Sequence, residues 1–138
     1  MPRAREAESQ RAANRGNTMD VTERRVGKVI VVAPAGRIDM TSADNFRERL
    51  IPLITSAAAG GESVVLDFSG VDYISSAGLR VLMLAAKQAK SAGNKVAVAA
   101  MQPLVAEIFQ ISRFDKVLPC HAGVDEALAA VAPGPNAA

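Results

Sequence analysis

Tryptophan is absent from this 138-residue chain, and cysteine, histidine and tyrosine occur once each. With Cys120 as the single cysteine no internal disulfide can form, and with His121 as the single histidine no Cys/His cluster has the spacing of a metal site. Neither a GxGxxG pattern nor a phosphate-binding loop is present, which leaves nucleotide chemistry without a seat. The apolar runs fall far short of the roughly 20 residues a membrane-spanning helix needs. Residues 1–18 also lack the apolar centre of a signal peptide. A soluble, cytoplasmic protein with no cofactor and no metal is the expectation.

A charge excess of one sign is missing as well. Of 16 basic and 14 acidic residues, the surplus lies in residues 1–18, where four arginines face two glutamates. The remainder balances and carries no Lys/Arg stripe interleaved with aromatics, so direct nucleic-acid binding is not expected. Aromatics make up 4% of a chain that is 49% hydrophobic, which predicts one domain with an aliphatic core.

Residues 1–18 contain no large apolar side chain except Met1 and read as a disordered basic arm, with Met19 as an alternative start. The domain is expected over 19–131, followed by a flexible tail over 132–138 rich in Pro and Gly. Within it, strand-like and helix-like periods alternate. Val21–Arg25 reads as an edge strand, and Val29–Pro34 as a β-branched strand ended by Gly36. Thr41 or Ser42 is placed to cap a helix that buries Phe46, Leu50, Leu53 and Ile54, with Asp44 in its first turn and Pro52 kinking or interrupting it. Ser63–Phe68 has the composition of a buried strand. A second helix is predicted from about Gly78 to Ala92, with Leu79, Leu82, Met83 and Ala86 on its apolar face. Lys95–Ala100 follows as a strand, then a helix opened by Pro103 that buries Val105, Ile108 and Phe109. Lys116–Leu118 is the last predicted strand and Asp125–Val131 the last helix. The order β-β-α-β-α-β-α-β-α predicts a mixed α/β fold, a small and mostly parallel sheet of four to five strands with about four helices packed on it.

The stretch Val64–Leu84, VVLDFSGVDYISSAGLRVLML, joins a buried strand to a helix through Ser75, Ser76 and Gly78. A helix N-terminus presents unpaired N–H groups and a partial positive charge, so a phosphate on a serine there is favourable. A serine at that place also serves as a simple N-cap, accepting a bond from the N–H of Gly78 or Leu79. Asp39 reads as a loop carboxylate binding backbone N–H groups ahead of Thr41 and Ser42. Asp67 reads as structural, accepting from the loop Gly70–Asp72, and Arg80 as a solvated side chain within reach of a phosphate on Ser76. Cys120 and His121 are adjacent in sequence, and adjacent side chains do not converge, so no catalytic pair is expected.

The segment LDFSGVDYISSAGLRVLMLAAKQAK resembles the signature of STAS domains, specifically of the bacterial anti-sigma factor antagonists. GRIDMTSADNFRERL at Gly36–Leu50 and MQPLVAEIFQISRFDKVLP at Met101–Pro119 resemble two further segments of that family, in register over about residues 19–131. The resemblance implies the STAS fold and a phosphoacceptor at Ser76, with Ser75 as the alternative. The acidic residue the family often has before this serine is replaced here by Ser75.

The resemblance further implies a partner-binding surface of Asp39, Thr41, Ser75, Ser76, Ala77, Gly78, Leu79 and Arg80. The implied activity is not enzymatic. An anti-sigma factor, itself a serine kinase of the ATP-binding histidine-kinase-like type, would bind the unphosphorylated protein and release its sigma factor. Phosphorylation would break that complex, a serine phosphatase would reset it, and a weak homodimer is compatible with the scheme. The alternative from another class is a docking subunit of a lipid or anion transporter or of a signalling scaffold. A small hydrolase has almost nothing in the sequence to support it.

Overall fold

The computed structural model describes residues 20–132. The predicted arm over 1–18, the Met19 start and the tail beyond Ala132 lie outside the described residues. Strand β1 (Asp20–Val26) forms an antiparallel hairpin with β2 (Val29–Ile38), and β3 (Ser63–Asp67), β5 (Val96–Ala99) and β6 (Cys120–His121) extend the sheet in parallel. The strand order is β1-β2-β3-β5-β6, with β4 (Val71–Ile74) pairing in parallel with the far end of β2. Four helices are described: α1 (Ala43–Ala59), α2 (Ser76–Ala92), α3 (Pro103–Ile111) and α4 (Val124–Val131).

Among the described residues the mixed α/β class and the helix count agree with the sequence, while the sheet has six strands rather than four to five. The extra strand is β4, short and of mixed polarity (VDYI), with Val71 and Ile74 buried and Asp72 exposed. It forms because β2 is longer than the sequence suggests. Residues 29–32 of β2 pair with β3 and residues 36–38 with β4. Pro34, which has no N–H to give, falls in the stretch between them that neither strand pairs. Gly36 does not end β2. It adopts φ 100° at an irregularity in the register, a backbone state a side chain would strain, and β2 then continues to Ile38.

The central strands are covered on both faces, as their continuous β-branched runs require. Ile30, Val32, Val64, Leu66, Val96 and Val98 pack with Phe46, Leu50 and Ile54 of α1, Leu79, Leu82 and Ala85 of α2, and Phe109 of α3. The alternate residues Val29, Val31, Val65, Ala97 and Ala99 face the other way onto Ala127 and Val131 of α4. On α2 the buried stripe includes Val81, Ala85 and Ala89, whereas Met83 and Ala86 are only partly covered. Leu53 and Ile108 are likewise partly buried.

Two predicted elements differ. Lys116–Leu118 is not a strand: Phe114–Lys116 forms a 3-10 turn and the last strand is β6 at Cys120–His121. Phe114 is held there by its edge-to-face contact with Phe109, 5.9 Å between ring centres, and pairing with β5 becomes available only after that turn. Pro52 does not interrupt α1, which runs through it to Ala59 with the proline exposed.

Candidate functional site

The two sequence motifs that carry the functional reading lie far apart in the chain and are joined by parallel pairing. Arg37 is opposite Tyr73 and Ile38 opposite Ile74. Both strands therefore end at the same edge, where the Ser75 N–H donates to the Ile38 carbonyl at 2.8 Å. The loop that follows β2 and the start of α2 are neighbours for that reason, an arrangement typical of ligand and partner sites at the carboxyl ends of parallel strands.

Helix α2 begins one residue pair earlier than the periodicity of its apolar face suggests, at Ser76, with Ser75 as its N-cap. Ser75 is extended (φ −92°, ψ 174°), its Oγ accepts the Gly78 N–H at 3.2 Å, and its carbonyl accepts the Leu79 N–H at 2.9 Å. The capping role predicted for one of the two serines thus falls to Ser75. Ser76 is the first helical residue and is exposed, and its hydroxyl bonds to no other described residue.

Gly78 is buried, and a Cβ there would stand 2.7 Å from Ile38 Cγ2 and 2.7 Å from Ile74 Cγ1. Only glycine lets the first turn of α2 lie this close to the ends of β2 and β4. Leu79 is 8% exposed and packs in the main core. Gly78 and Leu79, predicted among the partner-binding residues, are therefore inside the molecule and set the position of the site from below. Asp39, Thr41, Ser75, Ser76, Ala77 and Arg80 keep accessible surface.

Asp39 is committed to its own loop. Its Oδ1 accepts from the Thr41 N–H at 3.0 Å, the Thr41 hydroxyl at 2.7 Å and the Ser42 N–H at 3.2 Å, while Oδ2 faces Arg37 Nε at 3.7 Å. These bonds, the Thr41 hydroxyl foremost, hold the carboxyl below the ordinary carboxylate range. Ser42 is the residue preceding α1, but its hydroxyl does not cap the helix. It donates to the Arg37 carbonyl at 2.8 Å and accepts from the Asp39 N–H at 3.0 Å, while the Asp39 carbonyl accepts the Ala43 N–H at 2.9 Å. The turn from Arg37 to Ala43 is cross-bonded throughout.

Arg37 is a member of this surface that sequence reasoning missed. Its guanidinium lies over the Tyr73 ring at 4.4 Å and beside Asp39, a position visible only once β2 and β4 are known to pair. Asp67 accepts from the Ser69 N–H at 3.0 Å, not from Gly70–Asp72. Arg80 is exposed on α2. Cys120 donates to the Leu118 carbonyl at 3.3 Å, and burial, with Asp115 nearby, pushes its thiol pKa up. Cys120 and His121 are consecutive on β6, where side chains alternate between faces. Among the described residues no cluster of His, Cys, Asp or Glu could hold a metal ion, and no helix is long and apolar enough to cross a membrane.

The model of the STAS domain family matches residues 20–127, which spans the whole described sheet, the first three helices and the first half of α4. The chain belongs to the STAS domain family. This STAS domain is 31% identical over 112 residues to a Bordetella bronchiseptica protein described as a candidate anti-sigma factor antagonist, BtrV, covering 81% of this chain and 94% of that one. Its fold is similar to that of an anti-sigma factor antagonist from Mycobacterium paratuberculosis, with a TM-score of 0.70, 25% identity, and coverage of 83% of this chain and 95% of that one. A candidate anti-sigma factor antagonist from Thermotoga maritima shares the fold at a TM-score of 0.73 and 20% identity, over 80% of this chain and 93% of that one.

Proposed function

We propose that this STAS domain is an anti-sigma factor antagonist controlled by phosphorylation of Ser76. The observation that carries the reading is the division of work between the two serines. Ser75 is bound into the N-cap, and Ser76 is exposed one residue on, at a helix start fastened to the end of β2. Ser75 is half-buried with its Oγ engaged as the acceptor of the Gly78 N–H, whereas the Ser76 hydroxyl is exposed and makes no such bond, which leaves Ser76 the more accessible to a kinase. The relatives described as anti-sigma factor antagonists support the same reading.

In the unphosphorylated state the Ser76 helix end and the 39–42 loop dock on an anti-sigma factor that is itself a serine kinase, and the sigma factor is released to direct transcription. Ser76 Oγ then attacks the γ-phosphorus of the kinase's nucleoside triphosphate. The hydroxyl proton passes to a base of the kinase and the nucleoside diphosphate leaves. The product carries about −1.5 to −2 charge at neutral pH. Held in an interface beside the nucleotide's own phosphates, that charge is repelled, and each ~1.4 kcal/mol of repulsion weakens the complex about tenfold. A serine phosphatase removes the phosphate by hydrolysis and resets the protein. The STAS domain performs no chemistry of its own and acts in the cytoplasm with its partners.

Intact-mass and fragment mass spectrometry of the protein from its own cells, beside Ser76→Ala, tests this. A phosphate increment on Ser76 that the variant lacks, together with a co-purifying kinase identified as an anti-sigma factor, is the expected result. Phosphate on Ser75 would move the site. No phosphate in any growth condition, with transporter subunits in the eluate, would sink the switch in favour of a docking subunit.

A further inference from the structure

On the loop after β2, which the pairing of β2 with β4 brings to the same end of the sheet as Ser76, is a side chain to which neither the resemblance nor the cap geometry assigns a role. Met40 is 80% exposed, the most exposed large hydrophobic side chain among the described residues. It stands two residues past Ile38, as Ser76 stands two residues past Ile74, on chains that pair at those positions and are tied again by the Ser75–Ile38 bond of 2.8 Å. An enzyme that transfers phosphate to Ser76 must close on the Ser76 hydroxyl, and in doing so it covers the adjoining loop.

The loop is cross-bonded where it presents this side chain. Asp39 Oδ1 bonds Thr41 and Ser42 on the far side of Met40, and the Ser42 hydroxyl bonds both Asp39 and Arg37. A pre-organised loop loses little freedom on binding, and a few side chains seated in a partner's pockets carry most of the energy of an interface. Methionine is suited to such a seat because its thioether adapts to irregular pockets.

We propose that Met40 is the apolar anchor of the kinase complex, inserted into a hydrophobic pocket of the anti-sigma kinase next to its nucleotide site. Asp39 is the positioning residue that holds the loop so that Met40 projects. The inference rests on the reading of Ser76 as the phosphoacceptor and adds the contact that gives the unphosphorylated complex its affinity. It also changes the role of Asp39, which acts through the loop and not by touching the kinase.

The test is the dissociation constant of the full unphosphorylated chain for the kinase recovered with wild-type protein, purified and held in its diphosphate form to prevent turnover. Met40→Ala is expected to weaken binding about tenfold or more, with an unfolding midpoint within about 2 °C of wild type because the side chain is exposed. Asp39→Ala is expected to weaken binding, while Asp39→Asn, which keeps an oxygen for the Thr41 and Ser42 N–H groups, restores most of it. The double variant Asp39→Ala/Met40→Ala binds no more weakly than Met40→Ala, since loop order is of no use without the anchor.

Wild-type binding with Met40→Ala within about twofold of it overturns the anchor alone, being below what a central contact is worth. Loss in Asp39→Asn equal to that in Asp39→Ala overturns the positioning role and assigns Asp39 a direct charge contact. A Met40→Ala effect confined to self-association in sedimentation overturns the kinase as occupant in favour of a second copy. No kinase bound by wild type, and no phosphate on Ser76, overturns the reading on which the inference rests.

Discussion

At the scale of single residues, the site is set by one glycine and one carboxylate. Gly78→Ala gains up to about 1 kcal/mol of helix propensity, but its Cβ would meet Ile38 and Ile74 at 2.7 Å. Both isoleucines are fully buried and have nowhere to move, and overpacking costs about 1–3 kcal/mol. The clash wins, so Gly78→Ala is expected to lower the stability read from urea unfolding, with chemical-shift changes centred on Ile38 and Ile74. Asp39 has a folded pKa below its unfolded value, so its stabilising contribution is present above the unfolded pKa and fades as pH falls through the folded one. A carboxyl NMR titration is expected to show Asp39 titrating below an unfolded peptide containing it. The Thr41 and Ser42 amide signals should move with the same midpoint, and a midpoint at or above the peptide's would refute the loop bonds.

At the scale of elements, the start of α2 separates two serines that are chemically identical. Ser75→Ala removes the acceptor for the Gly78 N–H and is expected to cost about 1 kcal/mol. Ser76→Ala removes an exposed hydroxyl with no bond to another described residue and is expected to stay within about 0.5 kcal/mol of wild type. Thermal unfolding of the two variants side by side reads the difference, and equal losses would mean that the cap is shared. Much of this was legible in the sequence, because a Ser-Ser-x-Gly run ahead of an amphipathic stretch is a helix-start signal whatever the fold. Which serine caps was not legible, since that depends on the register with which α2 meets the ends of β2 and β4.

At the scale of the whole molecule, the sheet sorts its strands by cover. Strands β3 and β5 lie between neighbours and are buried on both faces, while β1 is an edge strand with Glu23, Arg24 and Arg25 exposed. Charge on an edge guards it against pairing with another chain. Amide exchange is expected to be slowest at Val64–Leu66 and Val96–Ala99, approaching the global unfolding limit, and fastest at the outward N–H groups of β1. Protection of β1 equal to that of β3 would mean that another chain pairs with it in solution. The helix end that bears Ser76 is fastened to the end of β2 by the Ser75–Ile38 bond, and Ser76 itself is exposed, so a charge added there would sit at the surface and outside the core.

The sequence by itself determined the four helices, the buried strands at Val29 and Ser63, and the helix start at the serine pair, because hydrophobic period and capping chemistry are local. It was silent on β4, whose four residues of mixed polarity become a strand only because β2 runs past β3 and offers them a free edge. It placed the last strand too early, because the 3-10 turn at Phe114 packs on Phe109, whose own position is set by its contact with Phe68 across the core. The site itself was tertiary. Asp39 and Ser76 were both nameable from motifs, but the placing of their two loops at one end of the sheet, the close approach of Gly78 to Ile38 and Ile74 and the stacking of Arg37 on Tyr73 follow from the parallel pairing of β2 with β4. A parallel pairing between segments some 35 residues apart has no local cause in the chain, and only the packed sheet supplies one.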